Sequence, residues 1–92
     1  MTRKDNFSNK KIIFRKQFEL LAARYILGES KQLDVKGSKA QVDAAVNVIK
    51  ESRQLLKSLQ GGAPLSDVKK QLDNKRRASK VFKEVYGYTW PF

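Results

Sequence analysis

The segment Asn74-Lys75-Arg76-Arg77-Ala78-Ser79-Lys80 sets four cations within seven residues. Guanidinium and ammonium groups at this density do one kind of chemistry well: they neutralise a polyanion and release its counterions. Read at helical spacing, Lys69, Arg76, Lys80 and Lys83 form a stripe beside an apolar face, with Lys70 and Arg77 further round. A straight row of cations on a rigid helix suits phosphates strung along a nucleic-acid groove. Asp73 and Glu84 interrupt the row, so the competing reading is a solvated face that keeps the protein dissolved. The same residues match a nuclear-localisation patch and an Arg-Arg-x-Ser kinase site, both short patterns of high chance frequency.

A second basic zone lies at Arg3, Lys4, Lys10, Lys11, Arg15 and Lys16. Residues 1–9 are polar and read as a flexible basic arm, which can follow a phosphate backbone or enter a minor groove. Residues 1–16 carry six basic side chains and one acidic, and residues 61–92 carry seven and three. The stretch between is nearly balanced. The whole chain, 92 residues, has a net charge of +11. Such an excess repels itself on a small surface and is normally offset by an anionic partner. The expected phosphate contacts are therefore Lys10, Lys11, Arg15, Lys16, Lys69, Arg76, Arg77, Lys80 and Lys83.

Catalysis finds no comparable set. There is no histidine to shuttle protons near neutrality and no cysteine to act as nucleophile or zinc ligand. The acids Asp5, Glu19, Glu29, Asp34, Asp43, Glu51, Asp67, Asp73 and Glu84 are dispersed, mostly near a Lys or Arg. Gly61-Gly62 lacks the Gly-Lys-Ser/Thr that completes a phosphate-binding loop. The composition points to a non-enzymatic protein without metal or cofactor.

The last seven residues, Tyr86-Gly87-Tyr88-Thr89-Trp90-Pro91-Phe92, place an aromatic at every second position. Extended, they project to one side. Three roles compete for Tyr88, Trp90 and Phe92: completing the core, docking a partner protein, or stacking unpaired bases.

The elements that must position these groups are helical. Phe14, Phe18, Leu21 and Tyr25 recur on one helix stripe, and Gly28 is a natural stop. Ser38 and Gln41 have capping-box spacing. Behind them Val42, Ala45, Val46, Ile49, Ser52, Leu56 and Leu59 predict a helix over 39–60, ended by Gly61-Gly62. Ser66 is the expected N-cap of a last helix over 66–86, with Asp67 at its positive end and Gly87 closing it. The fold class is mainly α: an antiparallel helix hairpin (39–60, 66–86) packed on an N-terminal helix. The alternative is a small α+β fold, in which Ile12-Ile13-Phe14 and the alternating Leu33 and Val35 belong to paired strands over 11–15 and 31–36. Residues 10–87 form the expected helical domain, with an aromatic tail over 88–92 and Val46, Ile49, Leu56, Leu72 and Phe82 buried.

One local pattern has a familiar look. Leu33-Asp34-Val35-Lys36-Gly37-Ser38-Lys39-Ala40-Gln41-Val42-Asp43-Ala44-Ala45, with Ile49 behind it, resembles the closing strand–glycine–helix unit of KH RNA-binding domains. The resemblance implies a strand running into Gly37. It carries over no binding residues, because the Gly-x-x-Gly loop of those domains has no counterpart here.

The functional expectation is a small basic protein that binds DNA or RNA through the phosphate backbone, largely without sequence specificity. An adaptor or inhibitor of an acidic protein surface, or a subunit of a larger nucleoprotein assembly, is the alternative. No apolar run reaches the length of a membrane span. The opening residues lack the apolar core of a secretory signal, which predicts an intracellular, cytoplasmic protein.

Overall fold

Three helices account for the architecture, seen in a computed structural model that describes residues 15–92. The first, α1, covers 15–26 of the described residues. It ends where Leu27, Gly28 and Glu29 donate backbone hydrogen bonds to Ala23, Tyr25 and Arg24 at 2.9–3.1 Å. Helix α2 runs Lys39–Gln60 and α3 runs Leu65–Tyr86. The two pair as an antiparallel hairpin, and α1 packs on α2. Residues 1–14 lie outside the description, and with them the arm, Lys10, Lys11 and all but the last residue of the strand considered for 11–15; that last residue, Arg15, is helical.

The capping box at the start of α2 forms in full. The Gln41 amide donates to Ser38 Oγ at 3.2 Å, and the Ser38 amide donates to Gln41 Oε1 at 2.9 Å. Gly37 precedes this box because nothing larger fits. A Cβ there collides with the Gln41 side chain, and its φ of 143° is strained for any other residue. This steric need accounts for the glycine in the KH-like pattern, since no strand leads into it: 31–36 is irregular, and no strand occurs among the described residues. The alternation of Leu33 and Val35 is nevertheless real. Both are half-buried while Asp34 and Lys36 are exposed, and Leu33 packs against the helical core. An extended segment laid over helices has the same alternation as one laid beside a strand.

The start of α3 corrects an expectation. Its N-cap is Pro64, not Ser66, and no side-chain cap bond forms. With φ −56° and ψ 148°, Pro64 directs its carbonyl at the amides of Asp67 and Val68, 3.0 and 3.1 Å away. The proline ring fixes φ there, and the first helical bonds to the Pro64 carbonyl form without a side-chain cap, so the helix begins at Leu65.

At the centre Ala22, Val48, Ile49, Ala78, Phe82 and Trp90 form one buried cluster. Ile49 and Phe82 are fully enclosed as expected, whereas Val46, Leu56 and Leu72 are only half-buried. Three helices of this length enclose a narrow axis, and residues one turn off it reach solvent. Small side chains at Ala22, Ala45 and Ala78 let the helix backbones approach and leave room for aromatic rings. Phe18, Phe82 and Tyr86 stack with nearly parallel planes, and Trp90 meets Phe82 edge-on at 5.0 Å.

Tyr86 adds a polar tie. Its hydroxyl donates to the Gln41 carbonyl at 2.9 Å, joining the end of α3 to the start of α2. Burial raises its pKa above 10.0, with neighbouring Tyr88 adding to the rise. The folded state therefore holds this proton more tightly than the unfolded chain, and the stability so gained falls as pH climbs through and above 10. Alkaline melting curves should show a steeper loss in the wild type than in Tyr86→Phe, whose ring cannot ionise.

Candidate functional site

The basic stripe lies on α3, a helix held rigid by its other face. Arg76 and Lys80 each stand two residues ahead of a buried one, Ala78 and Phe82. They are thus about 200° round the helix from the core. Lys69, Lys70, Arg76, Arg77, Lys80 and Lys83 are all exposed. From Lys69 to Lys83 the row extends about 21 Å, over which one strand of a duplex presents about six phosphates. Asp73 and Glu84 share this face, yet neither lies within ion-pair distance of its cations. Among the described residues the sole salt bridge is Arg15–Glu19, at 3.2 Å. No described carboxylate lies within ion-pair distance of the α3 cations.

The other end of the chain contributes differently. Arg15 is engaged twice, by Glu19 and by the ring of Tyr88, over which its guanidinium sits at 3.8 Å. Its charge ties α1 to the aromatic segment, which sets it apart from the free cations of α3. Lys16 is exposed.

The aromatic segment is folded back onto the helices. Gly87, with a left-handed φ of 82°, caps α3 through a bond from its amide to Lys83. There the chain turns and runs across the core. Trp90 is 5% exposed, and its indole Nε1 donates to Ser52 Oγ at 3.0 Å. Ser52 in turn donates to the Val48 carbonyl at 2.8 Å. Of the three residues considered for docking or stacking, Trp90 is therefore enclosed and Tyr88 half-buried. Only Phe92 remains open, at 43% exposure. The value of Ser52 was hidden in the sequence. At an apolar helix position it looks like a tolerated small residue, and only the indole across from it shows why a hydroxyl is there.

A third group of cations reads in the sequence only as part of the polar face of α2. Lys50, Arg53 and Lys57 lie on α2 at one-turn spacing, within a stretch whose net charge is nearly balanced. Asp43, two turns back on the same face, and Glu51, beside Lys50 in the chain, offset it in the sum and so conceal the cluster. With Tyr25 of α1 and Gln54 these residues line a concavity of 350 Å³.

No group of three acidic side chains among the described residues could hold a metal ion. No helix among them is long and apolar enough to cross a membrane. Comparison with protein-family models, curated proteins and solved structures yields no match.

Proposed function

We propose that this protein is a non-enzymatic nucleic-acid-binding module that grips the phosphate backbone with the outer face of α3. The supporting observation is the exposed row Lys69, Arg76, Arg77, Lys80 and Lys83 on a helix whose opposite face is buried, with no internal counter-ion for these cations among the described residues. Lys16, exposed on α1, and Lys10 and Lys11, outside the described residues, are further candidate phosphate contacts. The row contains no aromatic platform or Asn/Gln pair aimed outward to read bases. Contacts of this type position a protein on a strand without selecting a sequence. In this reading the protein works in the cytoplasm, with RNA or DNA as its partner.

Fluorescence anisotropy with mixed-sequence DNA and RNA, over a range of salt, tests the proposal. With about six phosphates neutralised, log K falls against log salt with a slope of about −4 for single strands and −5 for duplex. Changing Arg76, Arg77 and Lys80 together to Gln lowers the steepness by about 2 and leaves melting nearly unchanged. Absence of binding to both polymers at low salt defeats the proposal. So does a slope that the triple variant fails to alter.

A further inference from the structure

The concavity between α1 and α2 is lined by Tyr25, Lys50, Arg53, Gln54 and Lys57. Three of the five are cations, none is an acid, and no residue of α3 takes part. Lys50 and Lys57 flank Arg53 along α2, about 10 Å apart along its axis. Both are exposed, so their ammonium groups are free to swing inward.

Arg53 is held differently. It is half-buried, and its guanidinium lies over the Tyr25 ring, 4.8 Å from the centroid. A guanidinium held over an aromatic ring still has N–H groups to offer a ligand. It also loses less freedom on binding than a lysine does. No carboxylate lies within ion-pair distance of it among the described residues. Gln54 adds a neutral amide donor at the rim.

We infer that this groove is a binding site for a compact phosphate group, separate from the α3 row. A carboxylate is the poorer fit. It carries one charge and two coplanar oxygens, whereas the groove offers three positive groups from both ends and the middle of a helical turn pair. A phosphoryl or pyrophosphoryl group supplies more charge and oxygens facing several directions, which fork-shaped and point-like cations can share. The phosphate can belong to a nucleic-acid strand that wraps past α3, or to a free oligophosphate.

Inorganic pyrophosphate is the probe, titrated into the full-length protein at low salt and followed by amide and side-chain NMR shifts. Saturable shifts are expected at Tyr25, Lys50, Arg53 and Lys57, with half-saturation below about 1 mM. The double variant Lys50→Gln/Lys57→Gln changes two exposed side chains and retains the Arg53–Tyr25 contact, so it should stay folded. It is expected to weaken the affinity at least about tenfold. Arg53→Lys keeps the charge but removes the fork, and should weaken it as well. A parallel titration with a short duplex identifies the source. Displacement of pyrophosphate by duplex at these signals assigns a strand phosphate, and duplex shifts confined to α3 assign a free oligophosphate. The inference is overturned if no saturable shift appears. It also fails if the shifts survive the double variant, or if they spread equally along α3 as a diffuse ion atmosphere would produce. Because Lys50 and Lys57 lie outside the α3 row, their replacement leaves the triple-variant effect on the salt slope in place. Failure here is thus distinct from failure of the nucleic-acid proposal.

Discussion

Phe82→Ala should cost about 3–5 kcal/mol of folding stability, among the largest losses expected from a single substitution in this chain. Phe82 has no exposed surface. Its ring meets four others: Phe18, Tyr86, Tyr88 and Trp90. Truncation leaves a hole bordered by stacked rings, which cannot collapse without tilting α1 and the aromatic segment together. A domain of this size has a total stability in the lower part of the usual 5–15 kcal/mol range. Chemical denaturation followed by circular dichroism should therefore find the variant close to its midpoint without denaturant. Phe82→Leu, which keeps most of the volume, separates cavity cost from gross misfolding and should lose far less. A Phe82→Ala midpoint within error of the wild type would remove Phe82 from the centre of the core.

The second large effect concerns Trp90. Its replacement by Ala should cost about 3–5 kcal/mol and lower the melting temperature by at least about 12 °C. Two terms contribute. The indole surface is lost from the core, and Ser52 Oγ loses the N–H that uses its lone pair, leaving a buried acceptor unsatisfied. Trp90→Phe restores part of the first and none of the second, so it should fall between. Deleting residues 88–92 should reproduce the Trp90→Ala loss or exceed it, since Tyr88 leaves with it. Trp90 emission should be blue-shifted from the water-like maximum in the native protein and move to it on unfolding. Unchanged melting after the deletion would return the aromatic segment to the docking role.

How much of this was legible beforehand differs from element to element. Helix α2 could be read because every signal agreed: the Ser38–Gln41 box, an apolar stripe and two glycines. The N-cap of α3 was misplaced by two residues because Ser66 has the right chemistry and Pro64 has the right geometry. Geometry prevailed, since the proline carbonyl was already aimed. The alternation at Leu33 and Val35 correctly marked one wetted and one covered side, but alternation does not say what does the covering. The α3 row could be read from spacing alone. The α1–α2 groove could not, because it needs Tyr25 beside Arg53 and these are far apart in sequence. Arg15 shows the same limit: Glu19 is its neighbour one turn on, but nothing local predicts that the Tyr88 ring also engages its charge.

The turn at Gly87 gives the molecule a part that can open on its own. An added Cβ there meets nothing within 4 Å, so the turn is set by its left-handed backbone and not by surrounding packing. Beyond it, residues 87–92 belong to no helix. They are held chiefly by rings and by the single bond from Trp90 to Ser52. Lifting them breaks no helical hydrogen bond of α2 or α3 beyond the cap itself. This segment is thus the natural low-energy subunit of unfolding, a flap that can detach while the helix hairpin persists. The indole N–H is the clock of that motion. Enclosed with Ser52, it trades its proton for solvent deuterium only when the flap is off. Its exchange rate relative to the slowest amides of α2 measures how far local opening outruns global unfolding.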